Sequence, residues 1–257
     1  MTLPDSTVFA AVLADPRVYV VIGIAFITGF VRGFSGFGSA LIYIPLTSAV
    51  FDPKLAAATF VIMDLITAFP FLRAVGPRAA WREVLPIAIA AAIGVQFGTQ
   101  ILRFADPVNL RWGVCVFVAM IVVVLASGWR YRNNPTLWLT FAVGLIAGVI
   151  GGAAQISGPP VIIYWLGGMH PPDVLRANFL WYFTLFNVAA TITYAWYGLI
   201  TAQALAIVVL ITPVCMVGMW LGGKLFPYAS ERTYRRIAYA IVAFSAIAGL
   251  PLWDSLR

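Results

Sequence analysis

The chain has 257 residues, of which 62% are hydrophobic and only 10% are charged. No soluble domain of this size hides that much apolar surface from water, so the composition places the chain in a lipid bilayer. The net charge of +7 does not indicate nucleic-acid binding, because the basic residues are scattered between the apolar runs rather than clustered on one face. Both cysteines lie within apolar stretches and indicate neither redox chemistry nor a metal site.

The apolar runs predict an all-α polytopic membrane protein. In chain order, an interrupted stretch at 18–50 is followed by three runs of spanning length, and a second interrupted stretch at 137–168 is followed by three more. The interruptions are Ser35–Gly38 and Gln155–Pro160, and each stretch is predicted to be two short helices meeting at a turn. The six uninterrupted runs, predicted to be transmembrane helices, are 55–72, 84–102, 112–129, 177–197, 204–223 and 237–253.

The second half of the sequence repeats the first. The pair Gly29 and Gly33 before the first interruption is matched by Gly144 and Gly148 before the second. Further along, Gly94-x-x-x-Gly98 is matched by Gly218-x-x-x-Gly222. Repeated membrane segments with interruptions at the same place are typical of secondary transporters. We predict two repeats, 1–132 and 133–257, each a broken re-entrant helical hairpin plus three transmembrane helices.

The basic residues favour an inverted arrangement of the two repeats. If both interrupted stretches return to the side from which they entered, ten basic residues lie on one face and five on the other, whereas eight simple crossings divide them seven to eight. The larger group is Arg73, Arg78, Arg82, Arg130, Arg132, Arg176, Lys224, Arg232, Arg235 and Arg236, and the smaller is Arg17, Lys54, Arg103, Arg111 and Arg257. This arrangement predicts that both termini lie outside the cytoplasm.

The two interruptions form the predicted anion-binding site. Glycine leaves room for a ligand beside the backbone, and a helix that begins in mid-membrane presents unpaired N–H groups and a positive dipole end. We expect the anion to bind between the two broken hairpins. The predicted substrate-binding residues are Arg32, Ser35, Gly36, Gly38, Ser39, Gln155, Ser157, Gly158 and Asn187. The alternative is that the glycines only permit close helix packing, and we favour that alternative for the Gly94/Gly98 and Gly218/Gly222 pairs.

Three polar residues within apolar segments have open roles. Arg32 could clamp a sulfonate or carboxylate, reach an interface or pair with Asp64. Asp64 could relay a proton or neutralise Arg32. Asn187 could face the site or form a hydrogen bond between helices. Bulk at Gly36 or Gly158 is expected to stop transport without unfolding the chain, and Gly98→Ala is expected to be milder for transport.

These residues resemble a known family. The chain resembles the TauE/SafE family of sulfite and organosulfonate exporters in three features. These are the run Gly33–Ser39 with Pro45 after it, the run Gln155–Pro160 followed by Tyr164, and the repeated halves. The resemblance covers nearly the whole chain. It implies a multi-pass secondary transporter of the bacterial inner membrane that exports small sulfur-containing anions such as sulfite or sulfoacetate by alternating access. Many members have a further glycine where this chain has Ser39.

Other functional classes have weaker support. The single histidine, His170, lies in a polar loop, so the sequence predicts no enzyme, no cofactor and no metal site. The expected partners are a small anionic substrate and the lipid bilayer, with no nucleic acid. An anion channel, a proton-coupled carboxylate permease and a membrane-anchoring subunit remain as alternatives. The sequence leaves open the anion, the coupling ion and the oligomeric state.

Overall fold

A computed structural model describes residues 4–35, 38–75, 78–127, 136–166, 171–225 and 231–252. Within these ranges the chain forms eleven α-helices, which confirms the predicted all-α class. The helices are α1 (Ser6–Ala14), α2 (Pro16–Ser35), α3 (Ser39–Val50), α4 (Pro53–Val75), α5 (Trp81–Phe104), α6 (Pro107–Ser127), α7 (Leu137–Ala154), α8 (Gly158–Leu166), α9 (Pro172–Trp196), α10 (Ala202–Leu225) and α11 (Glu231–Ala248).

Each of the six uninterrupted apolar runs coincides over most of its length with one helix, namely α4, α5, α6, α9, α10 and α11. The run 237–253 continues past the end of α11 at Ala248. Among the described residues, six helices are long and apolar enough to cross a membrane: α2, α4, α5, α6, α7 and α10. Helix α9 is less apolar because it carries Asn178 and Asn187, and α11 begins with four charged residues among its first six. Membrane crossing by α9 and α11 therefore stays a prediction.

Both predicted interruptions occur, but their arms are unequal. Helix α2 ends at Ser35 and α3 begins at Ser39, while α7 ends at Ala154 and α8 begins at Gly158. The expectation of two short arms is wrong for α2 and α7, which have 20 and 18 residues. At 1.5 Å per residue they are about 30 and 27 Å long, the thickness of a bilayer core. The short arms α3 and α8 pack back against them.

The helices group into two compact units. Unit 1 comprises Met1–Met63, Ala105–Ser127 and Gly198–Arg257, and unit 2 comprises Asp64–Phe104 and Gly128–Tyr197. Each unit therefore takes helices from both halves of the sequence. The repeats at 1–132 and 133–257 are defined by matching residues in the sequence and not by packing, so the division into two compact units does not test them. They stay a prediction.

Each unit contains one closely packed pair of helices, with one helix from the first half of the sequence and one from the second half. In unit 1, α2 packs against α10, and in unit 2, α5 packs against α7. Glycines make both contacts possible: a Cβ on Gly29 would overlap the carbonyl group of Cys215, and one on Gly98 would overlap that of Val149. Gly94 and Gly218 face neighbouring backbone in the same way. The packing interpretation is thus confirmed for Gly94, Gly98 and Gly218.

Candidate functional site

The second interruption lies wholly in unit 2 and is held in an unusual backbone conformation. Gln155 ends α7 with φ of 56°, and its N–H donates to the carbonyl of Gly151 over 2.6 Å. Among the described residues it is the one non-glycine with a positive φ. Such conformations cost energy in ordinary residues and cluster at ligand sites and switches. The interruption is therefore the strongest site candidate on the backbone evidence.

The side chain of Gln155 is buried and its orientation is fixed. The amide nitrogen Nε2 donates to the hydroxyl oxygen of Tyr194 over 2.9 Å. That hydroxyl donates its single proton to the carbonyl of Gly152 over 2.7 Å, so towards Gln155 it can only accept. The other amide atom, Oε1, is buried and has no hydrogen-bond partner among the described residues.

Helix α8 begins with fewer backbone donors than the sequence analysis expected. Its first residues are Gly158, Pro159 and Pro160, and proline has no N–H. Of its first four residues, only Gly158 and Val161 carry an N–H. The positive dipole end remains, but additional donors have to come from side chains.

Two buried hydroxyl groups lie at or next to the start of α8. Ser157, immediately before α8, is 2% exposed. The hydroxyl of Tyr182 on α9 is fully buried, lies near the side chain of Ser157 and forms no hydrogen bond of normal geometry with a described residue. Both groups are uncharged, as is suitable for a site that binds an oxyanion and releases it again.

Aromatic side chains of α9 cover the interruption. A Cβ on Gly158 would lie 3.1 Å from Cζ of Phe183, and one on Gly151 would lie 2.9 Å from Cε2 of Phe186. These two glycines thus make room for aromatic rings. Gly158→Ala meets one ring edge, whereas Gly98→Ala meets backbone. Gly98→Ala therefore meets the tighter packing of the two, and the expectation that it is the milder change for transport stays a prediction.

Asn187 and Asp64 form a buried polar pair. Nδ2 of Asn187 on α9 donates to Oδ2 of Asp64 on α4 over 2.7 Å, and the two residues are 3% and 4% exposed. Asn187 follows Phe183 by four positions and precedes Tyr194 by seven, so the three share the helix face that meets the second interruption. The hydrogen bond between helices, one of the two roles left open for Asn187, is present. Its contact with a substrate stays a prediction.

The first interruption belongs to unit 1 and is described in part. Gly38 has φ of 88°, and no atom of a described residue outside its chain neighbours lies within 4 Å of the place of a Cβ. It leads into α3, whose first residue is the buried Ser39. Arg32 lies in the last turn of α2 and is partly buried. The side chain of Ser35 and the whole of Gly36 fall outside the described residues. Pairing of Arg32 with Asp64 stays a prediction.

Comparison with known proteins agrees with this architecture. The family model "Sulfite exporter TauE/SafE" matches residues 21–249. The chain belongs to the TauE/SafE family. It is 24% identical over 216 residues, 81% of its own length and 84% of the relative's, to the probable sulfite/organosulfonate exporter TauE of Cupriavidus necator. No solved structure matches the chain. The family is one of membrane transporters, so this multi-pass chain is a transporter and not an enzyme, and the resemblance is confirmed.

Sequence reasoning missed three residues of this TauE/SafE chain. Tyr182 and Tyr194 carried no signal, since a tyrosine in an apolar helix has no distinctive spacing. Arg111 was counted among the charges of the segments between helices. It is instead 7% exposed within α6, and its Nη2 donates over 3.0 Å to the carbonyl of Gly249 at the end of α11. A cation at a helix C-terminus is favourable, so Arg111 ties α6 to α11.

Proposed function

We propose that this TauE/SafE transporter exports small sulfur-containing anions, such as sulfite or sulfoacetate, across a bacterial inner membrane. The family match over residues 21–249 carries the proposal. The Cupriavidus relative is a probable sulfite/organosulfonate exporter, which supports the same substrate class. Alternating access is proposed as the mechanism because the two halves repeat their interrupted segments.

We place the anion at the second interruption, on contacts within unit 2. The hydroxyls of Ser157 and Tyr182, the N–H groups of Gly158 and Val161 and the positive end of α8 all present donors or positive potential. Phe183 and Phe186 shield this region from lipid and water, which strengthens each hydrogen bond. An oxyanion accepts several such bonds at once, whereas a cation accepts none.

Arg32, Ser35, Gly36, Gly38 and Ser39 of the first interruption remain proposed substrate-binding residues. Gly38 and the residues that follow it in α3 carry N–H groups up to Pro45, so this helix start has more backbone donors than α8. The expectation that both interruptions bind one anion stays a prediction.

A proton-coupled carboxylate permease is the second candidate function. The observation that favours it is the buried carboxylate of Asp64, hydrogen-bonded to Asn187 on the helix face that meets the second interruption. A carboxylate near an anion site opposes the binding of a second negative charge unless it takes up a proton. In that case Asp64 relays the proton.

Flux measurements distinguish these functions. Export of one negative charge from an interior-negative cell is favoured by about 2.3 kcal/mol per 100 mV, so an exporter needs no coupled ion. We expect proteoliposomes without a proton gradient to show saturable sulfite flux that accelerates when the compartment holding the anion is made negative. A channel would give linear flux, and a permease would require the pH gradient. No sulfite flux in folded protein would refute the exporter.

Inverted repeats are proposed from the distribution of basic residues, and labelling tests them. Single cysteines at positions 130 and 235, in a background lacking the buried Cys115 and Cys215, are expected to react with a membrane-impermeant reagent from the same side. Parallel repeats would place the two positions on opposite faces.

A further inference from the structure

One buried group at the second interruption does not suit a bare anion. Oε1 of Gln155 is a hydrogen-bond acceptor, is buried, and has no partner among the described residues. A fully deprotonated oxyanion offers only acceptors, so it leaves this carbonyl unsatisfied. A buried acceptor without a donor is unfavourable, and no described residue supplies that donor.

Two hydrogen bonds oppose turning the amide over to remove this mismatch. Turning it would bring Oε1 against the hydroxyl oxygen of Tyr194, whose proton is already donated to the carbonyl of Gly152. Two acceptors would then face each other at hydrogen-bond distance. The positive φ of Gln155 fixes the backbone from which the side chain extends. The acceptor is thus held in place by a chain of two hydrogen bonds and a strained residue.

We propose that Gln155 Oε1 accepts a hydrogen bond from the substrate and so selects monoanions that carry a donor, either a proton retained on the oxyanion or a nearby hydroxyl or ammonium group. This inference rests on the proposed anion site at the second interruption. Gln155 and Ser157 are two positions apart, so their Cα atoms are at most about 7 Å apart. This spacing suits one small molecule that presents its oxyanion to Ser157 and Tyr182 and its donor to Gln155.

A matched pair of competitors tests the selection. Ethanesulfonate and 2-hydroxyethanesulfonate have the same charge and carbon chain, and only the second carries a hydroxyl donor. Each is added to proteoliposomes that transport labelled sulfite, and its inhibition constant is measured. The hydroxyl compound is expected to inhibit at about tenfold lower concentration, because a site with a buried hydrogen-bonding group rejects the analogue that leaves it unpaired.

Two variants identify the group that makes the distinction. Gln155→Met keeps the length of the side chain without its acceptor and is expected to bring the two inhibition constants close together. Tyr194→Phe keeps Gln155 but releases its amide, and the preference is expected to fall as well. Gln96→Met is the control, because Gln96 also donates to an α9 hydroxyl, that of Thr193 at 2.7 Å, but is itself exposed. It should keep the wild-type ratio.

The outcomes separate the inference from the proposed function. Three results overturn the role of Gln155 without affecting the evidence from sulfite flux. They are equal inhibition by the two sulfonates in the wild type, no inhibition by either sulfonate, and a preference that survives in both site variants. Absence of sulfite flux in the folded wild type refutes the proposed function and the inference with it.

Discussion

Two glycines of α2 should respond in opposite directions to the same substitution. Gly29 and Gly23 lie six positions apart in one helix, and alanine in place of glycine favours a helix by about 0.5–1 kcal/mol. At Gly23 a Cβ has no atom of another described part of the chain within 4 Å, so Gly23→Ala should be stabilising by that amount. At Gly29 a Cβ overlaps the carbonyl group of Cys215, with the carbonyl carbon 2.8 Å away, where ordinary contacts lie at 3.4–4 Å.

Relief of this overlap requires α2 and α10 to move apart, because both partners are backbone. Overpacking typically costs about 1–3 kcal/mol, and a clash with backbone belongs near the upper end. Subtracting the gain in helix propensity leaves Gly29→Ala destabilised by about 2 kcal/mol. The assay is thermal unfolding of purified protein in detergent. Its readout is the fraction of the protein that stays monodisperse after heating to each temperature. A higher unfolding temperature for Gly29→Ala, as for Gly23→Ala, would refute the close packing of α2 on α10.

Three further outcomes are expected. Asp64→Asn should keep the fold and the sulfite flux, since the new amide oxygen can still accept a hydrogen bond from Asn187. Asn187→Asp should lower the unfolding temperature, and the double variant Asp64→Asn/Asn187→Asp should restore it. Loss of flux in folded Asp64→Asn, with strict dependence on a pH gradient, would indicate the permease. Arg111→Met should cost about 1.5–3 kcal/mol of stability through one lost charged hydrogen bond without changing flux per folded molecule. Segments 1–132 and 133–257 should be unstable alone and give flux only when co-expressed, because α2 packs on α10 and α5 on α7.

The positions of the helices and interruptions were predictable because they depend on local sequence. The run 204–223 became α10 at Ala202–Leu225, since continuous apolarity of that length has few other solutions in lipid. The glycines at 36 and 38 and the prolines at 159 and 160 identified both interruptions. The same prolines remove two of the four backbone donors at the start of α8, a consequence that the sequence analysis overlooked.

The pairing of elements was not predictable, since it depends on the fold. Glycines four positions apart at 94 and 98 indicate a close helix contact, but nothing in their spacing specifies α7 as the partner. The orientation of the Gln155 amide depends on Tyr194, 39 positions away. Arg111 was expected at a membrane surface because it directly precedes the apolar run 112–129, and only the position of Gly249 shows why it is buried.

The Michaelis constant for sulfite flux in Tyr182→Phe and Ser157→Ala tests the proposed anion site most directly. Each variant removes one uncharged donor from the second interruption, and Tyr182→Phe changes no other atom. Loss of a hydrogen bond to a charged ligand costs about 1.5–3 kcal/mol, so the account predicts a constant raised by at least tenfold in each variant, with an unfolding temperature close to that of the wild type. An unchanged constant in both folded variants would contradict binding of the anion at the second interruption.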